Sequence, residues 1–339
     1  MMRKFMLESV KYWVKEFHMD GFRFDLMGVH DIETMNQISK ELHQLKPDIL
    51  LYGEGWTAGA CPLPDSMRAL KKNASYLDRI AVFSDDLRDG IKGSVFEHKD
   101  KGFASGKAGI EESVKFGIVA AVNHPQVDYS KVNYSKGPYS AAPHNTISYC
   151  ECHDNHVLWD KIAISAEGLN EKQRTEIHKL AISTVLTSQG ISFLHAGTEF
   201  LRSKNGVENS FESGDSINAI NWDLKTKNLA VFNYIKGLIA IRKAHPAFRM
   251  TEAKSIAENL HFINLSPGLV GFRINGEAVG DKWKKILVLL NGNLSSEKVS
   301  LPQGLWEISV LSNQLSKEAK KLSGDITLAA SSCTILFQR

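Results

Sequence analysis

No apolar run in this 339-residue sequence is long enough to cross a bilayer as a helix. No signal-peptide pattern opens the chain; Met1 reads as starting inside a domain, so a longer parent would carry any targeting segment upstream. Basic tracts and basic stripes interleaved with aromatics are missing too, and a net charge of +3 gives nucleic acid no footprint. There is no Gly-rich phosphate loop, no Gly-x-Ser-x-Gly elbow and no calcium-loop motif, which leaves nucleotide transfer and serine hydrolase chemistry without their usual parts. Cysteine is scarce at four residues, Cys61, Cys150, Cys152 and Cys333. Cys150 and Cys152, two apart on one expected strand, face the same side and are badly placed to bridge. All four read as reduced and partly buried, which leans towards the cytoplasm, although a secreted parent stays open.

What is present is an ordinary globular composition, with 43% hydrophobic and 23% charged residues, and three strand-like runs that end in carboxylates. In Asp20-Gly-Phe-Arg-Phe-Asp-Leu26 the side chains of Phe22, Phe24 and Leu26 point to one face and those of Arg23 and Asp25 to the other. The plain structural reading is a buried Arg–Asp ion pair. Leu51-Tyr-Gly-Glu-Gly-Trp56 places Glu54 after a second apolar run. Ser148-Tyr-Cys-Glu-Cys-His-Asp-Asn155 places His153 and Asp154 after a third.

Gly-Phe-Arg-Phe-Asp25, Gly-Glu54-Gly-Trp56 and His153-Asp154-Asn155, in this order, resemble signature regions of the α-amylase superfamily of glycoside hydrolases. Cys152 to Lys161, Phe193 to Arg202, and Asn209 through Asp215 and Asn218 to Trp222 resemble the type I pullulanases, which debranch starch. The resemblance runs from about Phe5 to the C-terminus. A further signature of the family, with Asp, Asn and His on an earlier barrel strand, has no match here.

The order of elements agrees with an α/β class. An amphipathic helix with Phe5, Met6, Val10, Trp13, Val14 and Phe17 on one face opens the chain. Strands are expected at Phe22–Leu26, Ile49–Tyr52, Arg79–Phe83, Thr146–Cys152 and Ile191–His195. Helices are expected at Ile32–Leu45, Asp65–Lys72, Ile110–Val122, Glu171–Thr187 and Leu229–Lys243. Five strands alternating with helices imply a parallel sheet, and with the resemblance a partial (β/α)8 TIM barrel of about five units. Residues 1–245 are the expected catalytic domain. Residues 246–339, with six short strand signals from His261–Leu265 to Cys333–Phe337, are an expected all-β C-terminal sandwich.

The resemblance implies Asp25 as nucleophile, Glu54 as acid/base and Asp154 as the carboxylate that binds and distorts the sugar, in retaining hydrolysis of α-1,6 branches of pullulan, starch or glycogen fragments. On residues alone, Arg23 is expected to keep Asp25 ionised, while Glu54, with no cation nearby in sequence, is expected to hold its proton longer. Candidate sugar contacts are Arg23, His153, Trp56, Asn155, Trp159, Asp215 and Asn218, with Tyr129, Tyr134 and Tyr139 more simply read as packed loop aromatics. No metal ligands are expected, since the Cys150-Glu-Cys152 spacing is not that of a zinc motif, and no cofactor; calcium enters only by the family resemblance. The expected partner is an α-glucan, with no nucleic acid or membrane, together with the missing N-terminal half of the barrel. Two alternatives stay open: an α-amylase, neopullulanase or isoamylase specificity, and a non-catalytic carbohydrate-binding or vestigial fragment.

Overall fold

The structure, a computed structural model, describes residues 1–339. Helix α1 (Met2–Phe17) ends where His18 turns left-handed, and strand β1 (Gly21–Phe24) follows. Helix α2 (Ile32–Leu45) starts at Asp31, whose carboxylate accepts from the Thr34 N–H at 2.8 Å, and stops just before Lys46 and Pro47. Strands β2 (Leu50–Gly53) and β3 (Ile80–Phe83) lead to helices α3 (Asp85–Lys92) and α4 (Glu111–Ile118). Strand β4 (Thr146–Ser148), helices α5 (Leu158–Ser165) and α6 (Glu171–Thr187) and strand β5 (Ile191–Ser192) complete a five-stranded parallel sheet in the order β1-β2-β3-β4-β5. Parallel neighbours require crossovers, and helices supply them except between β2 and β3, where short 3₁₀ turns intervene.

Several expectations change. The strands expected at Thr146–Cys152 and Ile191–His195 pair only to Ser148 and Ser192. Cys150 and Cys152 therefore lie beyond the ladder: Cys150 enters the main core, while Cys152 packs under the cleft described below. Helix α4 is shorter than Ile110–Val122 because Ala120 and Ala121 both adopt φ of 55°. Asp65–Lys72 is two 3₁₀ turns, Asp65–Met67 and Lys71–Tyr76. Helices α3 and α5 were not anticipated. The side chain of Ser84 caps α3, and its first turn carries Asp85 and Asp86, an ordinary start. Its charged residues Asp86, Arg88, Asp89 and Lys92 are nevertheless buried.

The remaining helices are α7 (Asp215–Asn218), α8 (Asp223–Lys227), α9 (Leu229–Ala244) and α10 (Ala253–Asn259). The chain then turns antiparallel, with β6 (Leu260–Ile263), β7 (Leu269–Asn275), β8 (Lys285–Asn291), β9 (Glu297–Ser300), β10 (Trp306–Leu311), β11 (Gln314–Leu315), β12 (Lys321–Leu322), β13 (Asp325–Leu328) and β14 (Ser332–Gln338). The larger sheet runs β11-β10-β14-β8-β7-β6 with β12 on β10, and β13-β9 forms a separate ribbon. In β8, Ile286, Val288 and Leu290 join the core shared with the helices, while Leu287 and Leu289 join a second core with Val299, Ile326 and Leu328 of the ribbon. Both faces are covered, which is why β8 reads as an unbroken apolar run.

Burial falls off towards one edge of the parallel sheet. All four residues of β3 are buried, whereas all four of β1 are only partly so. Helix α1 buries Leu7 and Val14 but leaves Phe5 69%, Tyr12 52% and Phe17 53% exposed, so the apolar face foreseen for it is only half used.

Two histidines couple this core to pH. His178 on α6 is fully buried, bonds the Thr198 carbonyl through Nε2 at 2.8 Å, and burial pushes it down to about 4; burial, aided by Arg202 and Lys204, does the same to His195. A histidine whose folded value lies below its unfolded 6.5 binds its proton mainly in the unfolded chain, so stability is lost as pH falls from 6.5 towards 4. Between pH 7 and 4.5, wild type should lose about 2 kcal/mol more than His178→Gln in urea unfolding. Parallel losses in the two proteins would contradict it.

Candidate active site

The five strands are parallel, so their C-terminal ends lie on one side of the sheet. Asp25 follows β1 and Glu54 follows β2, and the register pairs Phe24 with Gly53, placing the two carboxylates side by side. Arg23, opposite Tyr52, reaches both: Nη1 donates to Asp25 Oδ1 at 2.6 Å and Nη2 donates to Glu54 Oε1. The other Glu54 oxygen accepts from the Leu26 N–H at 2.8 Å, and the Gly28 N–H donates to the Glu54 carbonyl at 3.1 Å. Leu26 is left-handed, with φ of 42°, and this costly turn aims its N–H at the neighbouring strand end.

One expectation is corrected here. Glu54 does not lack a cation; the strand pairing brings Arg23 to it from the adjacent strand, a proximity invisible in linear spacing. Burial alone would lower the Arg23 guanidinium, but Glu54 and Asp25 outweigh it and leave it raised, hence charged. Glu54 is buried, whereas the Asp25 side chain stands 72% exposed at the open edge.

Glu54 lines a cleft of about 500 Å³ together with Trp56, His153, Asp154 and Asn155. Asp154 is half exposed, with Oδ1 3.4 Å from His153 Nε2, and Cys152 Sγ lies 3.1 Å from His153 Nδ1. The floor is aromatic: Phe83 meets Tyr149 at 4.8 Å and Trp56 at 6.4 Å between ring centroids. Such a surface beside carboxylates suits a sugar, whose hydroxyls need acceptors and whose C–H faces need apolar cover. A larger but open groove of about 1160 Å³ between α1 and α2 is walled mostly by charged and amide side chains and holds no strand-end carboxylate.

The other candidates fall elsewhere. Trp159, on α5, packs against the core with Arg174 5.2 Å from its ring, outside the cleft. Asn218 is structural: its amide donates to the Ser210 and Ser213 carbonyls at 2.7 Å each. Asp215 begins α7 and does not line the cleft. Tyr139 is buried, Tyr129 packs on the core, and Tyr134 donates to Asp89 at 2.5 Å, so all three serve the fold.

Sequence reasoning missed Asp85 and Arg88 in the cleft wall. Asp85 bonds Lys71, and Arg88 Nη1 donates to the Tyr149 hydroxyl at 3.1 Å. Burial raises Asp85, only partly opposed by Lys71. The signal for Asp85 was available, because it follows the apolar run Ile80–Phe83 just as Asp25 and Glu54 follow theirs. Phe96, Asn209 and Phe211 also line the cleft, from loops whose approach no local pattern announces.

A parallel sheet with carboxylates at successive strand ends, an aromatic-floored cleft beside them and antiparallel sheets beyond agree with the resemblance to the α-amylase superfamily. A family model described as "Pullulanase, all-beta domain" matches residues 256–314. The pullulanase of Bacillus subtilis (strain 168) is 37% identical over 305 residues, covering 90% of this chain and 41% of that protein. The structure of the pullulanase type I from Bacillus subtilis str. 168 complexed with maltose superposes with a TM-score of 0.92 at 34% identity, over 99% of this chain and 46% of that one. That of the Paenibacillus barengoltzii pullulanase in complex with maltohexaose and alpha-cyclodextrin gives 0.88 at 41% identity, over 99% and 50%. The chain is pullulanase-like, and it spans half or less of the length of these relatives.

Proposed function

We propose that this chain carries the nucleophile, the acid/base and the C-terminal domain of a debranching glycoside hydrolase that cleaves α-1,6 linkages in α-glucans with retention. The observation that carries this reading is the single Arg23 guanidinium spanning Asp25 and Glu54 at adjacent strand ends. Carboxyls held to one guanidinium's reach suit the close pair of a retaining mechanism rather than the wider pair of an inverting one. Asp25 attacks the anomeric carbon. Glu54 protonates the leaving oxygen and then takes a proton from the water that attacks the anomeric carbon and releases Asp25. Asp154 and His153 hold the sugar across the cleft, and Trp56 offers it a stacking face. Arg23 positions both reacting carboxylates.

The same reading makes the sheet five units of a (β/α)8 barrel, with residues 1–245 as the catalytic part and 246–339 as the β domain. Strand β1 then has an unpaired edge, and the exposed Phe5, Tyr12 and Phe17 of α1 await cover. The partner proposed for that edge is the remainder of the barrel. Made alone, the chain should bind a hydrophobic dye, self-associate in sedimentation, and hydrolyse pullulan weakly or not at all, as read by reducing ends. A monodisperse, dye-free chain that turns pullulan over vigorously would show that five strands suffice.

A further inference from the structure

Three side chains outside the proposed catalytic set converge at the rim of the cleft. His98, from the loop after α3, His156, from the loop after β4, and Glu208, from the loop after β5, each bring a ligand-capable atom to within 4.8 Å of the others. His98 Nε2 already lies 3.1 Å from Glu208 Oε2, and the two imidazoles meet edge to face at 4.7 Å between centroids. We propose that His98, His156 and Glu208 form a binding site for a zinc-like divalent transition metal ion that ties these three loops together.

The chemistry of the set is specific. Two imidazoles and one carboxylate are the donors that zinc takes as three protein ligands, with water in a fourth position. Hard-cation sites are built from oxygen donors instead, so two imidazoles disfavour calcium and magnesium here. The second shell is in place as well. His156 Nε2 lies 3.1 Å from the Gly206 carbonyl, which cannot donate, so this nitrogen must carry the proton. That bond fixes the tautomer in which Nδ1 keeps its lone pair, the arrangement usual for a metal-bound histidine.

The backbone at each ligand is anchored independently of any ion. Lys161 Nζ donates to the His98 carbonyl at 2.9 Å and to those of Ser94 and Glu97 at 2.8 and 2.7 Å. Lys92 Nζ donates to the His156 carbonyl at 3.2 Å, and the Gly206 N–H donates to Asp160 at 3.1 Å. Three loops far apart in sequence are thus presented on supports from α3 and α5, so little ordering remains for the ion to impose. Phe96, Asn155 and Asn209, close neighbours of the three ligands, line the cleft. A bound ion would therefore sit behind one wall of the cleft, away from Asp25 and Glu54.

The test needs no turnover, so it stands apart from the proposed hydrolase activity. The untagged chain, stripped with chelator, is titrated with zinc chloride by calorimetry, and cobalt(II) is added in parallel as a spectroscopic probe. One site per chain is expected, with cobalt absorption bands of nitrogen and oxygen ligation and no thiolate charge-transfer band. His98→Ala and Glu208→Gln should each weaken zinc binding at least about tenfold and the double variant should abolish it. Both residues are partly exposed, and near-ultraviolet circular dichroism checks that each variant is folded. Cys152→Ser should leave binding unchanged. Absence of zinc binding by the wild-type chain, affinity unchanged in both folded ligand variants, or loss of the site with Cys152→Ser would each overturn the proposal.

Discussion

Asp25→Asn, in a form that turns over pullulan, should lower hydrolysis by at least about a thousandfold on both pullulan and an aryl α-glycoside with a very acidic leaving group. An amide forms no covalent intermediate, so the quality of the leaving group is irrelevant to it. Glu54→Gln should behave differently. Pullulan hydrolysis, whose alkoxide leaving group needs a proton, should fall by about 10²- to 10⁴-fold, while the first step on the activated glycoside is largely spared. The local geometry sharpens the comparison. Both Glu54 oxygens accept hydrogen bonds, one from Arg23 and one from the Leu26 N–H, and Gln offers an acceptor to only one of these donors. A purely structural role for Glu54 would therefore depress both substrates together. Equal residual rates of the two variants on the activated glycoside would remove the role assignment and leave Arg23, Asp25 and Glu54 as an ion-pair network.

Arg242→Met should destabilise the chain by on the order of 4 kcal/mol, although it touches no cleft residue. Arg242, near the end of α9, is buried, and its guanidinium donates to four backbone carbonyls. Nη1 reaches Leu186, Ser188 and Phe248 at 3.1, 2.6 and 2.8 Å, and Nη2 reaches Gly190 at 2.7 Å. Burial, then Arg249, pushes it down to about 10, still charged at neutral pH. Methionine keeps the unbranched apolar stem but removes the guanidinium and leaves those carbonyls without a donor in a dry site, each a desolvated acceptor. The clamp joins the α6–β5 loop to the Pro246–Arg249 turn, so its loss should loosen the passage from helices to antiparallel sheets. Arg242→Lys should recover part of the loss. Urea unfolding checks this, and a loss under about 1 kcal/mol would show that water substitutes for the guanidinium.

Much of this protein was legible in residue order because its signals are local. Strand-like runs ending in Asp25 and Glu54, the helices beginning at Ile32 and Glu171 and the unbroken apolar run of β8 depend on neighbours a few positions away. Short-range sterics and hydrogen bonding set them, whatever the rest of the chain does. Helix α3 was hidden because Asp-Asp-Leu-Arg-Asp-Gly-Ile-Lys reads as a solvated stretch, whereas Lys71 and the Tyr149 hydroxyl partner its buried charges from distant segments. Trp159 and Asn218 looked like sugar contacts by their place in a motif, and packing turned them to the core and to loop carbonyls. Tertiary structure alone decided that Arg23 serves two carboxylates, that Arg88 reaches the cleft lined by Glu54, and that His98, His156 and Glu208 meet. Each of these rests on side chains brought together by strand pairing or loop crossing, and such proximity depends on the register and path of the whole chain rather than on any window of it.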